Sequence, residues 1–181
     1  MNTRNEMIQL ADEGWNVVAI TKRETKSGRW TPTLWMPGKN IVTNDGDLYY
    51  AQMASSTAPT NDFDHATTAG LILGTGLTAV GKTDTVTETI IVSGDTALES
   101  GYDKVNDGDA DNTGAGTDII TWKYAYATGD FNDANISEGS IDVNHTTPGG
   151  AVLCHFLFAA AFAKSATNTL TVYVNHTFTG V

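Results

Sequence analysis

Leu170-Thr-Val-Tyr-Val-Asn-His-Thr-Phe178 decides the fold class. Successive side chains of an extended strand point to opposite faces, so this segment places Leu170, Val172, Val174 and Phe178 on one side and Thr171, Tyr173, Asn175 and Thr177 on the other. A period of two with one apolar face is the pattern of a half-buried strand. Working outward, Lys164-Ser-Ala-Thr-Asn168 reads as a hairpin loop that joins this strand to the apolar run Val152 to Phe162. Before that come Ile136 to Val143 and Asp118 to Tyr126. The latter sets Ile120, Trp122, Tyr124 and Tyr126 against Ile119, Thr121, Lys123 and Ala125.

The N-terminal half supplies further strands at Trp15 to Ile20, Arg29 to Met36, Lys39 to Thr43, Ala69 to Gly74 and Thr87 to Val92. Pro32 implies an edge position for the second of these, and Pro37-Gly38 implies its end. Two helices are expected. Thr3 and Glu6 form a capping box ahead of Met7, Ile8, Leu10 and Ala11, with Gly14 at the end, and Asn44 caps a short helix near residues 45–54. Thr is abundant, and 18 Gly stand against 4 Pro, a mixture of pleat-filling and turn-forming residues. The apolar share of 40%, concentrated in runs, separates the chain from disordered sequences, with Ser93 to Gly116 the loosely ordered part. The expectation is an all-β protein: a two-sheet β-sandwich of jelly-roll type with about eight strands. Residues 1–38 would form an N-terminal arm with edge strands, and residues 39–181 the sandwich domain.

A net charge of −11 repels phosphate backbones, so nucleic acid is not expected as a direct partner. Cys154, the single cysteine, can make no intrachain disulfide. No apolar h-region opens the sequence, and the longest apolar stretch, Ala151 to Ala163, is shorter than the roughly 20 residues a bilayer requires, so no membrane partner is expected.

Gly76-Leu-Thr-Ala-Val-Gly81-Lys82-Thr83 matches the phosphate-binding pattern G-x-x-x-x-G-K-[ST]. That loop works only where a helix starts at its lysine, and here strand-forming residues follow, so a glycine-rich hairpin is expected instead. Asp107, Asp109, Asp111 and Asp118 fall at positions 1, 3, 5 and 12 of a calcium-type loop, which makes Ca2+ the candidate ion and a solvated acidic loop the alternative. No other cofactor is expected. Cys154 and His155 are strand neighbours on opposite faces and cannot act as a nucleophile-base pair. His145 and His176, in two Val-Asn-His-Thr repeats, lack a third zinc ligand, so the histidines read as ordinary strand and loop residues. With no catalytic set, the chain reads as non-enzymatic. Trp15, Trp30 and Trp35 are the candidate interface residues, the last two lying beside Pro32 and Pro37.

The runs Asn40 to Met53, Leu71-Ile-Leu-Gly-Thr-Gly76 with Lys82-Thr-Asp84, Asn135 to Ile141 and Asn168 to Phe178 together resemble small virion structural proteins of tailed bacteriophages, over about residues 39 to 179. The resemblance implies a capsid decoration or cement subunit on the virion surface, assembled in the host cytoplasm. Its partners would be the major capsid protein, which it would stiffen, or other virion proteins. It also implies a homo-oligomer, with a trimer among the options. A tail-fibre or receptor-binding module, or a calcium-dependent carbohydrate-binding module, is the alternative reading.

Overall fold

The computed structural model describes residues 16–63, 69–85, 90–91, 104–106, 119–130, 132–144 and 149–177. The described strands are β1 (Val17–Glu24), β2 (Trp30–Val42), β3 (Gly70–Gly74), β4 (Lys104–Asn106), β5 (Ile119–Tyr126), β6 (Asp133–Asp142), β7 (Val152–Lys164) and β8 (Asn168–Thr177), with one helix, α1 (Asn44–Ala54), after β2. All pairings are antiparallel, as expected for an all-β chain.

The strands do not divide into two packed sheets. They form a single sheet of order β3-β6-β7-β2-β1-β8-β5-β4. Apart from the three-residue β4, its strands make a nearly closed wall. The Tyr126 hydroxyl of β5 donates to the Leu71 carbonyl of β3 at 3.0 Å, so a side chain from one end of this wall reaches the other. The segment after the 75–85 loop also borders β3, with Ile91 N–H donating to Leu73 at 3.0 Å. A sheet closed on itself needs no second layer, because its own inner face supplies both sides of the core. Trp122, Tyr124, Tyr126, Leu170, Val172, Val174, Val17, Ala19, Leu71, Leu73, Cys154 and Phe156 all join one buried cluster. Burial pushes the Cys154 thiol up to about 12, against weaker opposing hydrogen bonds from the Ile141 backbone and the Asn40 side chain. Phe178 lies outside the described residues.

The segment read as an arm with edge strands is, from residue 16 on, the middle of the sheet, since β1 lies between β2 and β8. Both of its faces are covered: Val17 and Ala19 belong to the main core, while Val18 and Ile20 form a second cluster with Tyr173. The helix expected before Gly14 lies outside the described residues.

Pro37-Gly38 does not end β2, which runs on to Val42. Gly38 permits this because β7 crosses it closely; a Cβ there would lie 2.7 Å from the Leu157 carbonyl oxygen. The edge inferred from Pro32 holds for half of the strand: β2 pairs with β7 only over Gly38–Val42 and with β1 along its whole upstream length. Past that point β7 bulges away towards β6, where Ile136 pairs with Phe162.

Thr43, not Asn44, caps α1; its Oγ1 accepts from Gly46 N–H at 3.2 Å and donates to the Val152 carbonyl. Asp45 and Asp47 follow in the first turn, favourable at the positive end of the helix. Tyr49 then packs edge-on to Phe63 at 5.4 Å and lies 6.5 Å from Trp122, closing one end of the core. The strand expected over Thr87 to Val92 is represented by a single bridge of Ile90 to Gly74, its other residues except Ile91 lying outside the described set. Of Ser93 to Gly116 only β4 is described. Among the described residues no helix is long and apolar enough to cross a membrane.

Candidate functional site

Among the described residues, the outer face of β6 and β7 carries a cluster of charged side chains. Ser140 of β6 pairs with His155 of β7, which pairs with Ile41 of β2. The loop of residues 75–85 crosses this face and buries it. His155 Nδ1 lies 2.7 Å from Asp84 Oδ2, and its Nε2 lies 2.9 Å from Glu138 Oε2. The Glu138 side chain is 0% exposed and that of Asp84 27%. Burial pulls the His155 pKa down, but hydrogen bonds and charge attraction from Glu138 and Asp84 together outweigh it, and the net shift is upward. Both ring nitrogens face carboxylate oxygens, an arrangement that favours the imidazolium form. With both nitrogens committed it has no lone pair for a metal or a substrate proton. Among the described residues no group is arranged to hold a metal ion.

The phosphate-loop match is this same loop. Gly76 N–H donates to Glu138 Oε1 at 2.8 Å, the Ser137 hydroxyl donates to Gly76 O at 2.7 Å, and Gly81 N–H donates to Asp84 Oδ2 at 2.8 Å. Carboxylates thus take backbone donors that a phosphate loop would turn to its ligand. Lys82 lies in a turn, pairs with Asp47 of α1, and offers its carbonyl to Asn44 N–H at 2.8 Å. The loop is a strap from β3 to α1, buckled by the Asp84-His155-Glu138 clasp.

Reading His155 as an ordinary histidine missed this clasp. The available signal was isolation: one imidazole inside Val152 to Phe158, and one acid inside Ile136 to Ile141, each demanding a partner once buried. His176 is different. Its Nδ1 accepts from the Tyr50 hydroxyl at 2.5 Å, and that oxygen accepts from Trp122 Nε1 at 2.9 Å. Burial pushes His176 down to about 3, so it stays neutral.

Trp30 and Trp35 are 41% and 43% exposed. Trp35 pairs with Ile20 and Trp30 with Glu24, two positions on the same outer face of β1. Trp30 also lines a cleft of about 470 Å³ at the end of the barrel opposite α1, with Arg23, Glu24, Thr128 and Thr167. Trp15, His145, Asp107, Asp109, Asp111 and Asp118 lie outside the described residues, so the candidate calcium loop has no described geometry.

Fold and site together define an antiparallel, nearly closed barrel with a strapped outer face and two outward tryptophans on one strand. Compared with family models, curated proteins and solved structures, the chain has no significant match.

Proposed function

We propose that the chain is a non-enzymatic virion structural protein, a decoration or cement subunit that docks on the major capsid protein and stiffens the head. The reading rests on the resemblance described above. One observation carries its docking surface: Trp35 projects outward, half-exposed, from the half of β2 that pairs with β1 on one side and, among the described residues, with no strand on the other. A half-exposed tryptophan on a rigid strand loses water contact at little entropic cost when a partner covers it, and a free ladder edge offers main-chain hydrogen bonds to an extended segment. Pro32 and Pro37 interrupt that edge, which limits unspecific strand addition. Bridging neighbouring capsomers would require about 800 Å² on each partner, with no chemistry at the site.

The test is co-sedimentation of the purified chain with empty heads assembled from the capsid protein. Saturable binding, weakened at least about tenfold by Trp35→Ala, is expected. Absence of binding, or binding indifferent to Trp35, refutes the proposal. Copy number per virion separates this reading from the tail alternative, since a head subunit is present in hundreds of copies and a tail-fibre module in few.

A further inference from the structure

The cleft beside Trp30 lies where three connections converge: residues 25–29 between β1 and β2, 127–130 after β5, and 165–167 between β7 and β8. Its volume of about 470 Å³ falls in the range of small-molecule sites, which recur at the mouths of β-barrels.

The walls are held in place before any ligand arrives. Arg23 Nε donates to Asn168 Oδ1 at 3.0 Å, and the same oxygen accepts from the Thr167 hydroxyl at 3.3 Å. Lys164, only 2% exposed, donates from Nζ to Asn132 Oδ1 at 3.0 Å and to the Thr128 carbonyl at 3.5 Å. Ala127 N–H donates to Asp130 Oδ2 at 2.8 Å across the same turn. On the third side, Thr25 N–H donates to Arg29 O at 2.8 Å, with Gly28 in the left-handed region at φ +78°. Fixing these loops in advance lowers the ordering cost of binding.

The lining narrows the ligand class. Arg23 and Glu24 sum to zero charge at neutral pH, and the chain as a whole carries −11, so neither wall nor long-range field attracts an anion. A wholly apolar ligand would strip water from both charged groups without replacing it. Trp30 supplies a flat apolar face, while the guanidinium Nη groups, the Glu24 carboxylate and the threonines supply donors and acceptors around it. A pyranose has the matching surface, with an apolar C–H face and hydroxyls on its rim. We propose that this cleft binds a neutral saccharide, with its ring stacked on Trp30 and its hydroxyls shared between Arg23 and Glu24. The inference does not rest on the virion reading, and Trp35 plays no part in it.

The cleft is open to solvent at the barrel mouth, so affinity in the millimolar range is expected. The test is saturation-transfer NMR of the full chain with maltose, cellobiose, lactose and N,N′-diacetylchitobiose, and with glucose 6-phosphate as the charged comparison. At least one neutral disaccharide should receive saturation at its ring C–H protons. Trp30→Ala should weaken that binding about tenfold or more, Trp30→Phe should retain part of it, and Trp35→Ala should leave it unchanged. Circular dichroism checks that each variant keeps the wild-type fold. No transfer to any neutral disaccharide, transfer that survives Trp30→Ala, or stronger binding of glucose 6-phosphate overturns the proposal.

Discussion

Replacing His155 by leucine tests whether the clasp is a structural device whose charges need one another. The substitution leaves Glu138 fully buried, with Gly76 N–H as a hydrogen-bond donor but without the facing cation. Removing one partner of a buried ion pair costs about 3–5 kcal/mol, because the remaining charge stays desolvated. The Asp84 half is partly solvated and adds no more than about 1 kcal/mol. A loss of about 4 kcal/mol is a large part of the roughly 5–15 kcal/mol that holds a domain together. At about 2–4 °C per kcal/mol for a chain of this size, Tm should fall by about 8–16 °C.

A second substitution separates loss of charge balance from loss of packing. Adding Glu138→Leu to His155→Leu removes both buried charges, and apolar replacement of a buried pair is close to neutral, less about 1 kcal/mol for the Gly76 N–H that loses its acceptor. The double variant should therefore be more stable than His155→Leu alone, with a coupling of at least about 2 kcal/mol in a double-mutant cycle. The sign of the pH dependence follows from the raised His155 pKa. Its stabilisation is fully present below the unfolded value of 6.5 and is lost as pH rises through the higher folded value. The deficit of His155→Leu should thus be largest near pH 6 and shrink at alkaline pH. Urea unfolding followed by circular dichroism measures all three quantities. A single-variant cost below about 1 kcal/mol with additive effects would show that the clasp contributes little, and the argument from buried charge would fail.

Deleting residues 1–15 should leave the barrel folded, whereas deleting 1–26 removes β1 from the centre of the sheet and should leave an unfolded or aggregating chain, as read by circular dichroism and size-exclusion chromatography. Gly38→Val forces a side chain into the Leu157 backbone and should cost about 1–3 kcal/mol in thermal unfolding. His176, at about 3 in the fold against 6.5 unfolded, binds its proton only on unfolding, so stability should fall as pH drops from about 6.5 towards 3; His176→Leu should lose up to about 1.4 kcal/mol per pH unit of that slope. Lys82→Ala breaks an exposed pair and should change stability by less than about 1 kcal/mol, and calorimetry should find no ATP binding in either form.

Local alternation was legible, and closure was not. In β5 the sequence pattern separates Trp122, Tyr124 and Tyr126 from Ala125, and the structure buries the three aromatics in one core while Ala125 stays exposed. In β8 the same holds for Leu170, Val172 and Val174. Periodicity reports which face of a strand is apolar but not which strand lies beside it. The hydrogen bond that links the two ends of the wall, Tyr126 to Leu71, spans 55 positions of sequence and leaves no local trace. The clasp was hidden for a related reason: Asp84, Glu138 and His155 come from a loop and two strands, and only the strap brings the first to the other two.

The tryptophans show how one residue can decide the exposure of a surface. Trp30 and Trp35 are five positions apart, and in an unbroken strand an odd separation sends two side chains to opposite faces. A regular β2 would therefore bury one of them in the barrel and leave a single aromatic outside. The pairing of β2 with β1 instead skips a position: Thr21 faces Leu34 and Lys22 faces Pro32, leaving Thr33 as an extra residue. This is a β-bulge, and it reverses the phase of everything upstream. The Thr33 hydroxyl donates to the Thr21 carbonyl at 3.3 Å and lies 2.9 Å from the Thr21 hydroxyl, which stabilises the irregularity. Pro32 favours it as well, because a proline cannot complete a regular ladder. The result sets Trp35 on the barrel wall and Trp30 at its mouth, both outward, so one strand serves a docking face and a cleft. Deleting Thr33 removes the extra residue and leaves the two tryptophans four positions apart, an even separation, so regular pairing should keep Trp30 opposite Glu24 and both rings outward, with tryptophan fluorescence close to that of the wild type; a marked shift of that fluorescence would refute the phase argument.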